Sequence, residues 1–226
     1  MQSMKRFFCL RTIAFYHYGN DETSGQDLPI SDGQETIDLD ALQESAEHGD
    51  VEAQCRLAYC LYSGRFTKRV KNGIETICRD INKAFSWWSI AARHGNANAQ
   101  YWLGYCYYHG EGTPVNRTES LRWFQLAAEQ GDADAQYYLG ICYWDGEGTT
   151  ANKKEAFRWF RIAAEQGVVD AQYYLGICYW KGEEIEENIE KNIDEAIRWL
   201  RCAAAQDHRK AIMFLDRHGI KKNDTP

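Results

Sequence analysis

The chain has 226 residues, 44% of them hydrophobic, with 33 acidic against 26 basic side chains and a net charge of -7. That is the composition of a globular protein with a sizeable core, and it leaves no argument for general affinity to nucleic acid or an anionic membrane. Eight cysteines in a chain long enough to bury its own core read as mostly reduced thiols, not as the framework of a short secreted domain.

The first residues, MQSMKRFFCLRTIAFYHYGN, place Lys5 and Arg6 before an apolar run, as a secretory signal does. Arg11 interrupts that run and no small-residue cleavage site follows. No later stretch approaches the roughly 20 apolar residues of a membrane helix. The expected location is the cytoplasm, with secretion or the periplasm as the alternative. Residues 1–36 are expected to be partly irregular.

From residue 53 the chain repeats itself. It reads AQCRLAYCLYSG at Ala53, AQYWLGYCYYHGEG at Ala99, AQYYLGICYWDGEG at Ala135 and AQYYLGICYWKGEE at Ala171, spaced by 46, 36 and 36 residues. A second block follows each copy: KAFSWWSIAARHG, ESLRWFQLAAEQG, EAFRWFRIAAEQG and EAIRWLRCAAAQD. Half copies flank the array, DALQESAEHG from Asp40 and KAIMFLDRHG from Lys210.

Both blocks have helical spacing. Ala99, Leu103, Cys106 and Tyr107 share one side of the first helix, and Ser120, Trp123, Phe124 and Ala127 share one side of the second. Each unit is therefore a helical hairpin. Asn116, Asn152 and Asn192 stand three residues before a glutamate and are expected to cap the second helices. Gly95, Gly131 and Gly167 are expected to close them. The insertions, within 64–80 and around EEIEENIEKN, read as loops.

The combination LGxCYxxGEG, N-x-x-E-[AS]-x-x-W-[FL] and AAEQG resembles the Sel-one-like repeat family, relatives of the tetratricopeptide repeat, over residues 37 to 219. The resemblance implies an all-α fold, a right-handed solenoid of stacked antiparallel helical hairpins whose first helices line the concave side. It divides the chain into repeats at about 50–95, 96–131, 132–167 and 168–207, with a tail at 220–226. It implies an adaptor or scaffold that holds another protein or a peptide. A bacterial immunity protein that blocks a cognate toxin is the alternative. A β-lactam-binding hydrolase of the cysteine-rich relatives is a remote third. The pairing of Cys178 with Cys202 is the one disulfide that those relatives leave open.

Chemistry is sparse. The six histidines form no H-x-x-x-H pair and there is no C-x-x-C, so no metal site, cofactor or catalytic residue is assigned. The G-E-G turns lack phosphate-loop spacing and follow helices. The insertion carries Arg65, Lys68, Arg69 and Lys71, a basic patch that offers a contact for an acidic partner, or a solvated loop.

The repeated segment has two faces. Ala135, Cys142 and Tyr143 lie within about 60° of Leu139, whereas Tyr137, Ile141 and Trp144 lie at roughly 160°, 200° and 140°. Equivalent residues are Tyr101, Tyr105 and Tyr108, then Tyr173, Ile177 and Trp180, and in the first repeat Cys55, Tyr59 and Tyr62. In tetratricopeptide-like repeats such positions line the groove, and Tyr and Trp dominate binding hot spots. A helix packed on several sides gives the same pattern, so Ile141 and Ile177 fit either reading. Asn98, Asp134 and Asp170 at one end of the stripe, and His109, Asp145 and Lys181 at the other, would form its polar rim, or are hydrated residues of the helix ends.

Overall fold

The computed structural model describes residues 39–64, 67–70, 73–76, 79–182 and 192–220. The segment 1–36, the fourth-repeat insertion at 183–191 and the end of the tail lie outside the described residues. Ten helices are present among those described: α1 (Leu39–Glu47), α2 (Val51–Ser63), α3 (Ile81–Arg93), α4 (Ala97–His109), α5 (Arg117–Glu129), α6 (Ala133–Asp145), α7 (Lys153–Glu165), α8 (Val169–Lys181), α9 (Ile193–Ala205) and α10 (Arg209–Arg217). Each packs on the helix before and after it, and the result is an α-solenoid of stacked antiparallel hairpins. The first helices of the four repeats are α2, α4, α6 and α8; the second helices are α3, α5, α7 and α9.

Local chemistry sets the ends. Asn116, Asn152 and Asn192 accept the backbone N–H of Glu119, Glu155 and Glu195, satisfying an orphan donor of the first turn. Asp50, Asn96 and Asp132 cap first helices in the same way, whereas Val168 at the start of α8 gives no side-chain cap.

The core runs along the hairpin interiors. Leu103, Leu139, Leu175, Cys106, Cys142, Cys178, Phe124, Phe160 and Leu200 are at most 2% exposed, and burying each large side chain contributes about 1.5–3 kcal/mol. Close approach within a hairpin depends on glycine. A Cβ on Gly104, Gly140 or Gly176 would stand 2.8, 2.6 or 2.7 Å from Phe124, Phe160 or Leu200.

A buried glutamine ladder ties the hairpins together. Gln54, Gln100, Gln136 and Gln172 each donate to a carbonyl of the preceding second helix: Ala46, Ala92, Ala128 and Ala164. The side-chain oxygens of Gln100, Gln136 and Gln172 accept from Gln130, Gln166 and Gln206. In the first repeat the matching position is His94, and the Gln54 oxygen is buried without a partner among the described residues.

One expectation is corrected. Part of the 64–80 insertion forms a β-ribbon, β1 (Thr67–Val70) against β2 (Gly73–Thr76), antiparallel with Lys68 opposite Glu75 and Arg69 opposite Ile74. Two residues, Lys71 and Asn72, separate strands that carry Val70, Ile74, Thr67 and Thr76, a hairpin-length link between β-favouring residues.

Candidate partner-binding face

The aromatic stripe is divided by depth. Tyr137 and Ile141 are each 8% exposed, and Cys55 and Tyr62 each 5%, so these four are packed. Tyr59, Tyr101, Tyr105, Tyr108, Trp144, Tyr173, Ile177 and Trp180 are half-buried. The stripe therefore has a packing duty of its own, which comes from the next repeat. Tyr138 stacks on Phe124, with ring centroids 4.9 Å apart, and its edges meet Tyr101, Tyr105 and Tyr108 at 5.9, 5.9 and 5.7 Å. Tyr174 repeats this on Phe160, Tyr137 and Trp144, and Trp102 does so on Trp88 and Tyr62. These wedges were missed in the sequence because each lies about 100° from the core leucine, between the two faces. Their signal is the second aromatic of the A-Q-Y-W/Y copies, Trp102, Tyr138 and Tyr174, one residue before the core leucine; the first copy has Arg56 there.

At the C-terminal ends of the first helices, an aromatic, a carboxylate and a cation meet between repeats. Arg79 lies 5.1 Å over Tyr62 and 3.7 Å from Glu111. Arg117 lies 4.0 Å over Tyr108, pairs with Glu147 and donates to the Tyr108 carbonyl. Burial and the neighbouring glutamate both push the Tyr62 and Tyr108 phenols up, with burial the larger cause. Lys153 sits 4.0 Å over Trp144 and donates to its carbonyl. The G-E-G glutamates are thus latches to the preceding repeat as well as turn residues. Gly148 makes the approach possible: at φ +74°, a Cβ there would stand 2.3 Å from the Arg117 carbonyl oxygen. His109, at the end of α4, has its ring 4.2 Å from Tyr105, and partial desolvation of the imidazole among these rings pushes its pKa down.

At the N-terminal ends, polar side chains of the first and second repeats meet, as do those of α8 and the start of α10. Cys55 donates to the Asn98 side chain at 3.2 Å, and Asn96 donates to Glu52 at 3.4 Å. Asp134 is half-buried, and burial, then the Asp170 carboxylate, push its pKa up. Burial pushes Asp132 up to about 7 despite its bond from Ala135. Asp170 lies 3.1 Å from His208 Nε2, whose other ring nitrogen accepts from Ala211.

Lys68 and Arg69 lie in β1; Arg65 and Lys71 fall outside the described residues. Cys178 and Cys202 are both free thiols, so the one disulfide left open does not form here. Burial pushes Cys106, Cys142 and Cys178 up to about 12, which keeps these sulfurs protonated and apolar at neutral pH. Among the described residues no three His, Cys, Asp or Glu side chains gather as a metal site, and no helix is long and apolar enough to cross a membrane.

The geometry has counterparts in known proteins. c5321, a protective antigen of uropathogenic Escherichia coli with an SLR fold, is 30% identical over 84% of this chain, with a TM-score of 0.69. This chain spans 38% of that protein. A Sel1 repeat protein from Oxalobacter formigenes is 29% identical, covering 82% of this chain and 70% of its own, at a TM-score of 0.67. The immunity protein Pa5087 from Pseudomonas aeruginosa is 24% identical over 79% of this chain and 61% of its own, with a TM-score of 0.45, a likeness of fold alone. No curated protein matches the chain. The Sel1 repeat model matches residues 51–96, 97–132, 133–168 and 169–208. Four repeats in unbroken succession, built as hairpins with a common capping and wedging pattern, make this chain a member of the Sel1 repeat family.

Proposed function

We propose that the chain is a non-catalytic interaction scaffold whose first-helix face holds a segment of a partner protein. Sel1 repeat proteins are typically protein-interaction scaffolds. The observation that carries the reading for this chain is the row of half-buried Tyr101, Tyr105, Tyr108, Trp144, Tyr173, Ile177 and Trp180 on three successive first helices. Such residues retain surface for a ligand while their rings are already held by neighbours, so little side-chain entropy is lost on binding. Tyr137 and Ile141 support this row from beneath. Asn98, Asp134 and Asp170 border it and supply polar contacts for a bound backbone.

The test is affinity capture from the native host, followed by measurement of the dissociation constant for the retrieved partner. A Tyr105→Ala, Ile177→Ala double variant with the wild-type circular dichroism spectrum and Tm is compared with wild type. Loss of a hot-spot contact worth about 2 kcal/mol weakens binding about 30-fold. Equal affinity for the two proteins removes this face from the function.

A further inference from the structure

The last helix, α10, starts from a cap unlike those of the first helices before it. Asp50, Asn96 and Asp132 cap α2, α4 and α6 through a side-chain oxygen and Val168 gives α8 no side-chain cap, whereas α10 takes its cap from the ring of His208. The Ala211 N–H donates to Nδ1 at 3.1 Å, and Nε2 stands 3.1 Å from Asp170 Oδ1 on α8. A neutral imidazole has one donor and one acceptor nitrogen. An acceptor at Nδ1 puts the proton on Nε2, which donates to Asp170, so the two contacts together select one tautomer. The ring is held between them, its side chain 12% exposed and its centroid 4.8 Å from that of Tyr173.

Protonation makes both ring nitrogens donors. Nδ1–H then opposes the Ala211 N–H, which is left with the His208 carbonyl oxygen, 3.1 Å away. Nε2–H keeps Asp170, and that bond gains charge assistance. We propose that His208 is a proton-operated cap: uptake of one proton trades the cap of α10 for an ion pair to α8, so the first turn of α10 loosens in mild acid while its anchor to the array is kept. Because one bond weakens as the other strengthens, the effect is local to this turn.

The charged residues around the ring are Asp170 on α8, Asp207 before it in the chain, and Arg209 and Lys210 after it. Tyr173 stays a neutral phenol, since burial pushes its pKa up, and α9 contributes apolar Leu200, Ala203 and Ala204 to the core beneath α10. His218, at the other end of α10, responds differently. Its Nδ1 is 2.8 Å from the Phe214 carbonyl oxygen, so it donates whether the ring is neutral or charged. A charge there also suits a helix C-terminus.

The test is NMR on the ¹⁵N-labelled full chain between pH 8 and pH 5, the range in which histidine side chains change charge. At pH 8 the long-range correlation of the His208 ring should show Nε2 protonated and Nδ1 bare. As that ring titrates, hydrogen exchange of the Ala211 amide, corrected for its intrinsic pH dependence, should show protection reduced at least about twofold. Ala99, capped by Asn96, should show no such change. His208→Asn, which keeps a capping oxygen without a titrating ring, should hold the Ala211 protection constant across the range. An Nδ1–H tautomer at pH 8, a ring that stays neutral to pH 5, or Ala211 protection that does not fall as the ring titrates overturns the proposal, and these wild-type readings stand whether or not the variant folds. An equal fall in His208→Asn also overturns it and assigns the response to another group, such as Asp132 or His218.

Discussion

Gly140→Ala tests the packing that holds each hairpin together. The added Cβ would stand 2.6 Å from both Cδ1 and Cε1 of Phe160. Ordinary carbon contacts lie near 3.5–4.0 Å, so the ring or the helix must move by roughly 1 Å. The ring has little room, because Tyr174 stacks on it at 4.9 Å and Trp144 meets it at 5.9 Å. Overpacking of this kind costs about 3 kcal/mol at its upper end, and alanine recovers about 1 kcal/mol of helix propensity. The net loss is about 2 kcal/mol, equivalent to a Tm drop of about 4–8 °C in a chain of this size. In the first repeat the position is Ala58, fully buried in the cluster that contains Trp88. There, Ala58→Gly relieves no clash and destabilises through propensity and lost packing. Thermal unfolding followed by circular dichroism reads both. A Gly140→Ala protein as stable as wild type, or more so, refutes the close-approach account.

His94→Gln supplies the missing partner of Gln54 and is expected to stabilise by about 1 kcal/mol; unchanged urea unfolding would show that the ladder carries no energy. Asp132 has a folded pKa raised to about 7 from an ordinary 3.8, so the folded state binds the extra proton between those values. Its contribution makes the protein more stable as pH falls from above 7 toward 4, and Asp132→Asn, which keeps a capping oxygen, should remove that slope in unfolding curves from pH 4 to 8. Among the six described thiols, Cys202 alone is more than slightly exposed, so maleimide labelling of the native protein followed by peptide mapping should modify Cys202 before Cys106, Cys142 or Cys178.

Helix ends and core positions were legible because each depends on residues a few places apart. Asn116 announces α5 through a bond to Glu119, and Leu139 with Cys142 marks the inward face by spacing alone. The role of Tyr138 was not legible, since a single helix wheel does not show that the next repeat drives this ring onto Phe124 and the preceding stripe. The same contact makes Tyr137 and Ile141 core residues: a first helix has neighbours on several sides, so an apolar outer face does not by itself mean an open one. Glu111 and Glu147 read as turn acids because their partners, Tyr62 with Arg79 and Tyr108 with Arg117, are distant in sequence and adjacent only after stacking. The pairing of Thr67–Val70 with Gly73–Thr76 was hidden by the basic side chains that made the insertion look like a solvated loop.

The central claim, that the half-buried first-helix face holds the partner, is tested most directly by photo-crosslinking from a first helix and from a second helix of adjacent repeats. Benzoylphenylalanine is placed at Tyr105, within the face, or at Ile162, which is 37% exposed on a second helix, in otherwise wild-type protein in its native host. Crosslinking from position 105 to a discrete protein, with none from position 162, is the predicted result. Crosslinking of that protein from 162 and not from 105 would contradict the account.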